Sequence, residues 1–219
     1  RTRPVISVTY DNDNYANGNY YKDARTATIA ITEHNFDASR VSVSGTGDGF
    51  PSLGGWSQDG DVHSATLYYG SDGEYTFAMG FTDMAGNTAD DVAEQDFIID
   101  QTDPELTITG VEDQAAYNGT ITPDISCSDT NMDASGFQVT LEKDGEEVSY
   151  DKAVLQDGME FAYSDFADTK DADGIYTLKA SATDRADRTV EKTVTFSVNR
   201  YGSNYLIADD VKNILGKYV

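Results

Sequence analysis

Cysteine and long hydrophobic runs are both scarce in this sequence. The single cysteine, Cys127, cannot form a disulfide within the chain, which excludes a small secreted scaffold held together by cystines. No stretch approaches the roughly 18 consecutive apolar residues of a membrane-spanning helix, so we predict no membrane insertion. The fold must therefore be held together by hydrophobic cores.

Basic residues are outnumbered by acidic ones. The chain has 15 Lys and Arg against 39 Asp and Glu, a net charge of −24, and acidic residues are spread over both halves. Such a surface repels phosphate backbones and anionic lipid heads, so we predict no nucleic-acid partner. It is typical of a protein that stays soluble in a salty exterior, where charges are screened over about 8 Å.

Histidine is limited to His34 and His63. Neither has a counterpart at the matching position of the other half of the chain, and the glycine pattern of a nucleophile elbow is missing. We therefore predict a protein that is not an enzyme, with no catalytic residues and no cofactor.

What the sequence does contain is an internal repeat. Residues 72–77 (DGEYTF) return as residues 173–178 (DGIYTL). The spacing of about 100 residues is the usual length of one compact domain. This predicts two copies of one domain, at residues 1–102 and 103–200. Residues 201–219 would then be a linker or short helical tail, or the start of a third domain.

Apolar and polar residues alternate along most of both copies. The clearest run is Tyr75, Phe77, Met79 and Phe81, interleaved with small or polar residues, and this period of two indicates a β-strand. Clusters of Gly, Asn and Asp separate such runs and favour turns. Each copy contains about seven strands, the number expected of an immunoglobulin-like sandwich, so the predicted fold class is all-β.

Three motifs of the first copy resemble those of bacterial immunoglobulin-like domains. They are Asp-Gly-x-Tyr at residues 72–75, Ala-Gly-Asn at 85–87 and Phe-Ile-Ile-Asp-x-Thr-x-Pro at 97–104. Such domains are strung in tandem on large surface proteins, mostly of Gram-positive bacteria. The resemblance implies an extracellular location, on the bacterial cell surface or in the cell wall. In place of the Ala-Gly-Asn motif, the second copy has Ala-Asp-Arg at 186–188, so we expect a wider or different hairpin there.

The resemblance also implies roles for particular core residues. Tyr75 and Tyr176 stand where a tyrosine corner returns its hydroxyl to the chain. The positions of the disulfide of antibody-type domains are filled by apolar residues, with Cys127 at one of them. Two buried apolar side chains stabilise by about 1.5–3 kcal/mol each, which can replace a bridge worth about 3–5 kcal/mol. We expect Cys127 to be a small buried hydrophobe.

Aromatic residues offer a candidate binding surface. Tyr20 and Tyr21 are expected in a loop, and Trp56 follows two glycines, so these three side chains could form a platform for sugar rings or a protein partner. Tyr68 and Tyr69 are adjacent on one strand, so they cannot both belong to the core.

Two acidic stretches have the oxygen ligands that calcium prefers. Asp11 and Asp13 lie in an Asp-Asn-Asp-Asn run, and Asp168, Asp171 and Asp173 lie in an insertion of the second copy. Ordinary turn chemistry explains both stretches as well. A structural calcium ion and a metal-free turn both stay open.

The function predicted from these features is that of a structural spacer. The repeat would belong to the stalk of a bacterial surface or secreted protein, with neighbouring domains of the same chain as its partners. One alternative is an adhesin-type module that recognises a glycan or a host protein through Trp56, Tyr20 and Tyr21. Another is an accessory domain of a secreted carbohydrate-active enzyme.

Overall fold

The structure is a computed structural model that describes residues 2–148, 159–162 and 172–201 together with Lys212. The chain divides into two compact units, Arg1–Thr102 with Arg185–Asp187 and Asp103–Asp184 with Arg188–Val219, called unit 1 and unit 2 below. The predicted tail at residues 201–219 lies outside the described residues apart from Tyr201 and Lys212.

Unit 1 is a sandwich of two four-stranded sheets. Its strands are β1 (Val5–Tyr10), β2 (Tyr20–Tyr21), β3 (Arg25–Thr32), β4 (Val41–Thr46), β5 (Ser57–Asp59), β6 (Val62–Tyr69), β7 (Gly73–Phe81) and β8 (Val92–Ile99). One sheet has the order β1-β3-β6-β5 and the other β2-β8-β7-β4. All pairs are antiparallel except β2 with β8, which is parallel. A 3₁₀ turn at Ala38–Arg40 precedes β4.

Unit 2 repeats this plan. Its strands are β9 (Glu105–Thr109), β10 (Ala116–Tyr117), β11 (Asp124–Ser128), β12 (Met132–Lys143), β13 (Glu146–Glu147), β14 (Met159–Ala162), β15 (Gly174–Asp184) and β16 (Thr189–Val198). The sheets have the orders β14-β11-β9 and β10-β16-β15-β12-β13, and β10 is again parallel to the last strand. Both units are immunoglobulin-like sandwiches, so the predicted all-β fold class is confirmed.

Each unit closes a hydrophobic core between its own two sheets. The core of unit 1 is rich in aromatic residues, among them Tyr69, Tyr75, Phe77 and Phe97. Aliphatic side chains dominate in unit 2. Both cores follow from the alternation, because every second residue of β3, β7 and β15 is buried.

The positions of the missing disulfides are packed as predicted. Ile31 and Phe77 are fully buried in unit 1, and Cys127 and Leu178 are buried at the matching places in unit 2. Cys127 is a free thiol, and burial raises its pKa. Apolar packing therefore replaces the bridge in both units.

Both predicted tyrosine corners are present. The Tyr75 hydroxyl donates to the Ser71 carbonyl over 2.9 Å, and the Tyr176 hydroxyl donates to the Ala172 carbonyl over 2.7 Å. Each bond ties the chain before the strand to the strand itself. A neutral hydrogen bond of this kind stabilises by about 1 kcal/mol.

The prediction of a different hairpin at residues 186–188 is wrong. The Asp83 amide donates to the Asn87 carbonyl in unit 1, and the Asp184 amide donates to the Arg188 carbonyl in the same way, at 3.0 and 3.1 Å. Asp187 adopts the left-handed conformation, with a φ of 66°, that Gly86 adopts in unit 1. The turn is conserved because aspartate tolerates that conformation better than most residues.

Candidate functional site

The predicted aromatic platform is not assembled. Tyr20 and Tyr21 do not lie in a loop but form β2, because their backbones pair with Ile98 and Ile99. The side chain of Tyr21 points into the core and is 6% exposed. The loop assignment is therefore wrong, and Tyr21 offers no open ring to a ligand.

Trp56 lies next to the other sheet, at the other end of unit 1. It directly precedes β5, and its ring packs against Phe36 at 4.8 Å between centroids. The ring is partly buried against the core. The structure thus separates Trp56 from Tyr20 and Tyr21. Tyr68 and Tyr69 divide as predicted, with Tyr68 62% exposed and Tyr69 buried.

Around Tyr21 the structure contains a buried cation that the sequence interpretation missed. The guanidinium of Arg25 lies 3.5 Å from the ring centroid of Tyr10, 4.1 Å from that of Tyr21 and 5.0 Å from that of Phe97. Arg25 is only 6% exposed. Aromatic faces attract a cation through their quadrupole, so this cage offsets part of the desolvation of the charge.

The first candidate calcium stretch supplies the oxygen atoms that accept hydrogen bonds from Arg25. Arg25 donates from Nη2 to the Asp13 carboxylate at 2.9 Å and from Nε to the Asn12 carbonyl at 2.8 Å. Asp11 accepts a 2.7 Å hydrogen bond from the Thr26 amide, which lowers the pKa of the Asp11 carboxyl. Asp13 thus faces a guanidinium, and calcium at Asp11 and Asp13 stays a prediction.

The second candidate calcium stretch is described only at its end. Asp173 is buried, and its carboxylate accepts hydrogen bonds from the amides of Arg200 and Tyr201, both at 2.9 Å. It therefore ties the end of β16 to the start of β15. Asp168 and Asp171 lie outside the described residues, and calcium there also stays a prediction.

A polar cleft of about 360 Å³ lies at one end of unit 1. It forms where the β3–β4, β5–β6 and β7–β8 connections meet the residues before β1. The lining residues are Thr2, Arg3, Thr32, Glu33, His34, Asn35, Asp61, Asp83, Ala85 and Asn87. We call it the loop-end cleft. Loops at the end of a rigid sandwich are where immunoglobulin-like domains carry binding sites.

The acidic groups of the loop-end cleft have defined partners. His34 Nδ1 lies 2.9 Å from the Asp61 carboxylate, whose hydrogen bond and charge raise the pKa of His34. Buried Asp83 accepts a hydrogen bond from the Asn87 side chain at 2.6 Å and another from the Ala85 amide at 2.8 Å, and these bonds lower the pKa of Asp83. Arg3 pairs with Asp90 at 3.1 Å.

The two histidines of unit 1 have defined hydrogen-bond neighbours. His34 has Asp61 as its hydrogen-bond partner, and His63 is stacked on Phe36 at 4.1 Å with its Nε2 at 3.1 Å from the Glu33 carbonyl. Within the described residues neither imidazole is bonded to a serine, threonine or cysteine side chain. A nucleophile of the triad type needs that contact.

Comparisons with known proteins identify relatives in structure alone. No family model matches the chain, and no curated protein matches it. Similar solved structures include the CbhA fibronectin(III)-like modules of Clostridium thermocellum, at 14% identity over 91% of this chain and 98% of that chain, with a TM-score of 0.32.

Two further solved structures are similar at the same level. The titin domains z1z2, in complex with telethonin, match at 15% identity over 88% of this chain and 96% of that chain, with a TM-score of 0.33. The Yersinia pseudotuberculosis adhesin InvE matches at 15% identity over 88% of this chain and 59% of that chain, with a TM-score of 0.35. Likeness at this level transfers no function from one protein to another.

Proposed function

We propose that this chain is a non-enzymatic spacer from the stalk of a bacterial surface or secreted protein. The observation that carries the proposal is that each unit closes its own core, with the residues of one core drawn from positions 6–99 and those of the other from positions 106–198. Modules that fold separately can be repeated along a chain without redesign of their interiors. The partners of such a spacer are the neighbouring domains of the same chain.

The connection between the units is fastened on each side. Gln101 and Thr102 donate to the Asp72 carboxylate of unit 1, at 2.7 Å from the amide and 2.6 Å from the hydroxyl. Asp103 accepts from Arg188 of unit 2 at 2.8 Å. The residues on either side of the boundary are therefore each tied to the unit to which they belong.

The surface chemistry suits an extracellular location. Within the described residues, no helix has the length and apolar character needed to span a bilayer. A net charge of −24 keeps copies of the protein apart in solution. Burial of the lone thiol fits an exterior in which an exposed cysteine would oxidise.

Single-molecule pulling on the chain between two handles tests the proposal. A spacer of two independent modules gives two separate unfolding steps, each releasing a length of about 300 Å for a unit of this size. Both steps should recover after relaxation. A single cooperative unfolding step would contradict the proposal. The proposal would also be contradicted if the chain bound glycans or matrix proteins saturably and showed no reversible unfolding steps.

The loop-end cleft favours recognition of a host protein or a glycan as a second candidate function. It is a formed cleft of about 360 Å³ with amide and carboxylate groups, the usual chemistry of a binding site for polar ligands. Asn35→Ala and His34→Ala should each weaken binding on a glycan and matrix-protein array. The matched control is Thr130→Ala in unit 2, which occupies the position equivalent to His34 and should change nothing.

A further inference from the structure

Three neighbouring strands of one sheet in unit 1 carry no charged side chain on their outer face, and Asp59 of the short edge strand β5 borders them. Strands β1, β3 and β6 point eleven residues outward, and in a chain of net charge −24 every one of them is neutral. We call this surface the neutral face. Its residues are Val5, Ser7, Thr9, Thr26, Thr28, Ala30, Thr32, Val62, Ser64, Thr66 and Tyr68.

Hydroxyl groups form a row across the middle of the neutral face. Thr9 pairs with Thr28, and Thr28 pairs with Thr66, so three exposed threonines stand side by side on three neighbouring strands. Neighbouring strands are about 4.8 Å apart, and outward residues of one strand recur about every 6.8 Å. Ser7, Ala30 and Ser64 form the next row, and Tyr68 borders the face at one end.

Neighbouring surfaces differ from the neutral face. The outer face of the other sheet in unit 1 carries exposed Glu74 and Asp96. The equivalent face of unit 2 carries Glu105 on β9 and Asp124 on β11. β-propensity accounts for threonine in a strand, but it does not account for the lack of acidic residues at all eleven outward positions of three neighbouring strands.

We propose that the neutral face binds an extended neutral polysaccharide. A hydroxyl both donates and accepts a hydrogen bond, so an array of hydroxyls matches a partner that offers the same groups and carries no charge. The exposed ring of Tyr68 adds a surface on which a sugar ring can stack. Anionic polymers would be repelled by the acidic residues around the face.

The size of the face favours this partner over a second copy of the chain. Three strands of up to eight residues cover about 400 Å². A stable protein–protein interface needs about 800 Å² from each partner. A single glycan chain lying along the strands needs less area, and repetition of the module along a stalk would raise the overall affinity.

Affinity electrophoresis tests the proposal. The chain is run in native gels that contain a soluble β-glucan, mannan, xyloglucan or, as the charged comparison, polygalacturonate. We expect retardation in at least one neutral gel and none in polygalacturonate. Thr28→Glu should weaken the retardation about tenfold or more, because it leaves a carboxylate without a partner under the bound glycan. Ser44→Glu adds the same charge to an exposed position of β4 and should leave the retardation unchanged.

Further variants separate the parts of the surface. The double variant Thr28→Val with Thr66→Val keeps the shape and removes two hydroxyls, and Tyr68→Ala removes the ring. Each should weaken binding while the melting temperature changes little. No retardation in any neutral gel would overturn the proposal, as would equal retardation of Thr28→Glu. Self-association that sedimentation detects, and that Thr28→Glu removes without any retardation by polysaccharide, would assign the face to a second copy instead.

Discussion

Unit 1 and unit 2 fill one position of the same fold with side chains of opposite character. Arg25 begins β3 and points inward, in line with Ile29 farther along the strand. In unit 2 the position that precedes Ile125 by the same spacing is Ile121, which is buried in the core. By this spacing, a cation in an aromatic cage and an aliphatic side chain occupy corresponding positions of the two units.

The residues around Arg25 and Ile121 also differ between the two units. Tyr10 covers the guanidinium of Arg25, whereas Gly110 stands at the matching place in unit 2. Gly110 has a φ of 78°, and a side chain there would collide with the Thr122 carbonyl. The sandwich can thus hold either an arginine or an aliphatic residue at this position, provided that the arginine is accompanied by its aromatic cage. Comparing Arg25 with Ile121 therefore shows how the fold compensates for the cost of burying a charge.

The largest expected effect comes from moving the cation into the wrong unit. Ile121→Arg should destabilise unit 2 by about 3–5 kcal/mol, because the guanidinium would be buried without a cage or a carboxylate. Chemical denaturation of the full chain measures the loss. Ile121→Met, which keeps the volume, should cost about 1 kcal/mol. Equal effects of the two substitutions would contradict the comparison.

Removing the cation from its cage should have a smaller effect. Arg25→Ala loses the contacts with three rings and the ion pair with Asp13, so we expect unit 1 to lose about 2–4 kcal/mol. Arg25→Ile imitates unit 2 and should recover part of this loss. Denaturation curves at two salt concentrations check the cause, since an effect confined to low salt would point to the exposed ion pair rather than to the cage.

The tyrosine corners should differ between the units by a smaller amount. Tyr176→Phe leaves the Ala172 carbonyl without its partner in a buried setting, so it should cost about 1–2 kcal/mol. Tyr75→Phe should cost about 1 kcal/mol, since the bond to Ser71 is only partly buried. Tyr69→Phe is the control. The Tyr69 hydroxyl is buried without a partner among the described residues, so its removal should be neutral or stabilising.

The smallest effect is a pH dependence due to histidine, a residue type that only unit 1 contains. The raised pKa of His34 means that its pairing with Asp61 stabilises the fold fully below about pH 6.5, the pKa of the unfolded histidine. The contribution is lost as the pH rises through the folded pKa. His34→Gln should therefore lower the melting temperature of unit 1 slightly at acidic pH and leave it unchanged at alkaline pH. A difference that grows with pH would refute the assignment.

Features that depend on strand periodicity could be predicted from the sequence. The burial of alternate residues on β3, β7 and β15 follows from the spacing of residues along single strands. The tyrosine corners at Tyr75 and Tyr176, and the apolar pairs that replace the disulfide, follow from the resemblance to immunoglobulin-like domains. The two-residue strand at Tyr20–Tyr21 could not be predicted, because a stretch so short shows no alternation. Its pairing with β8 joins residues far apart in the chain.

The sites were harder to predict than the fold. Arg25 did leave a signal, since an arginine stands in the inward phase of a strand that continues with Ala27, Ile29 and Ile31. Its cage needs Tyr10 and Phe97, which only the sheet registers bring together. The loop-end cleft depends on four separate segments of chain. The neutral face required the burial pattern of three strands, because the sequence does not say which of two alternating sets points outward.

Hydrogen exchange measured on Phe97→Ala in the full chain tests the central claim most directly. Phe97 is fully enclosed in the core of unit 1, and its truncation should cost about 3–5 kcal/mol. If each unit closes its own core, amide exchange will accelerate in strands β1–β8 and stay at the wild-type rate in β9–β16. Acceleration of similar size in both sets of strands would contradict the account.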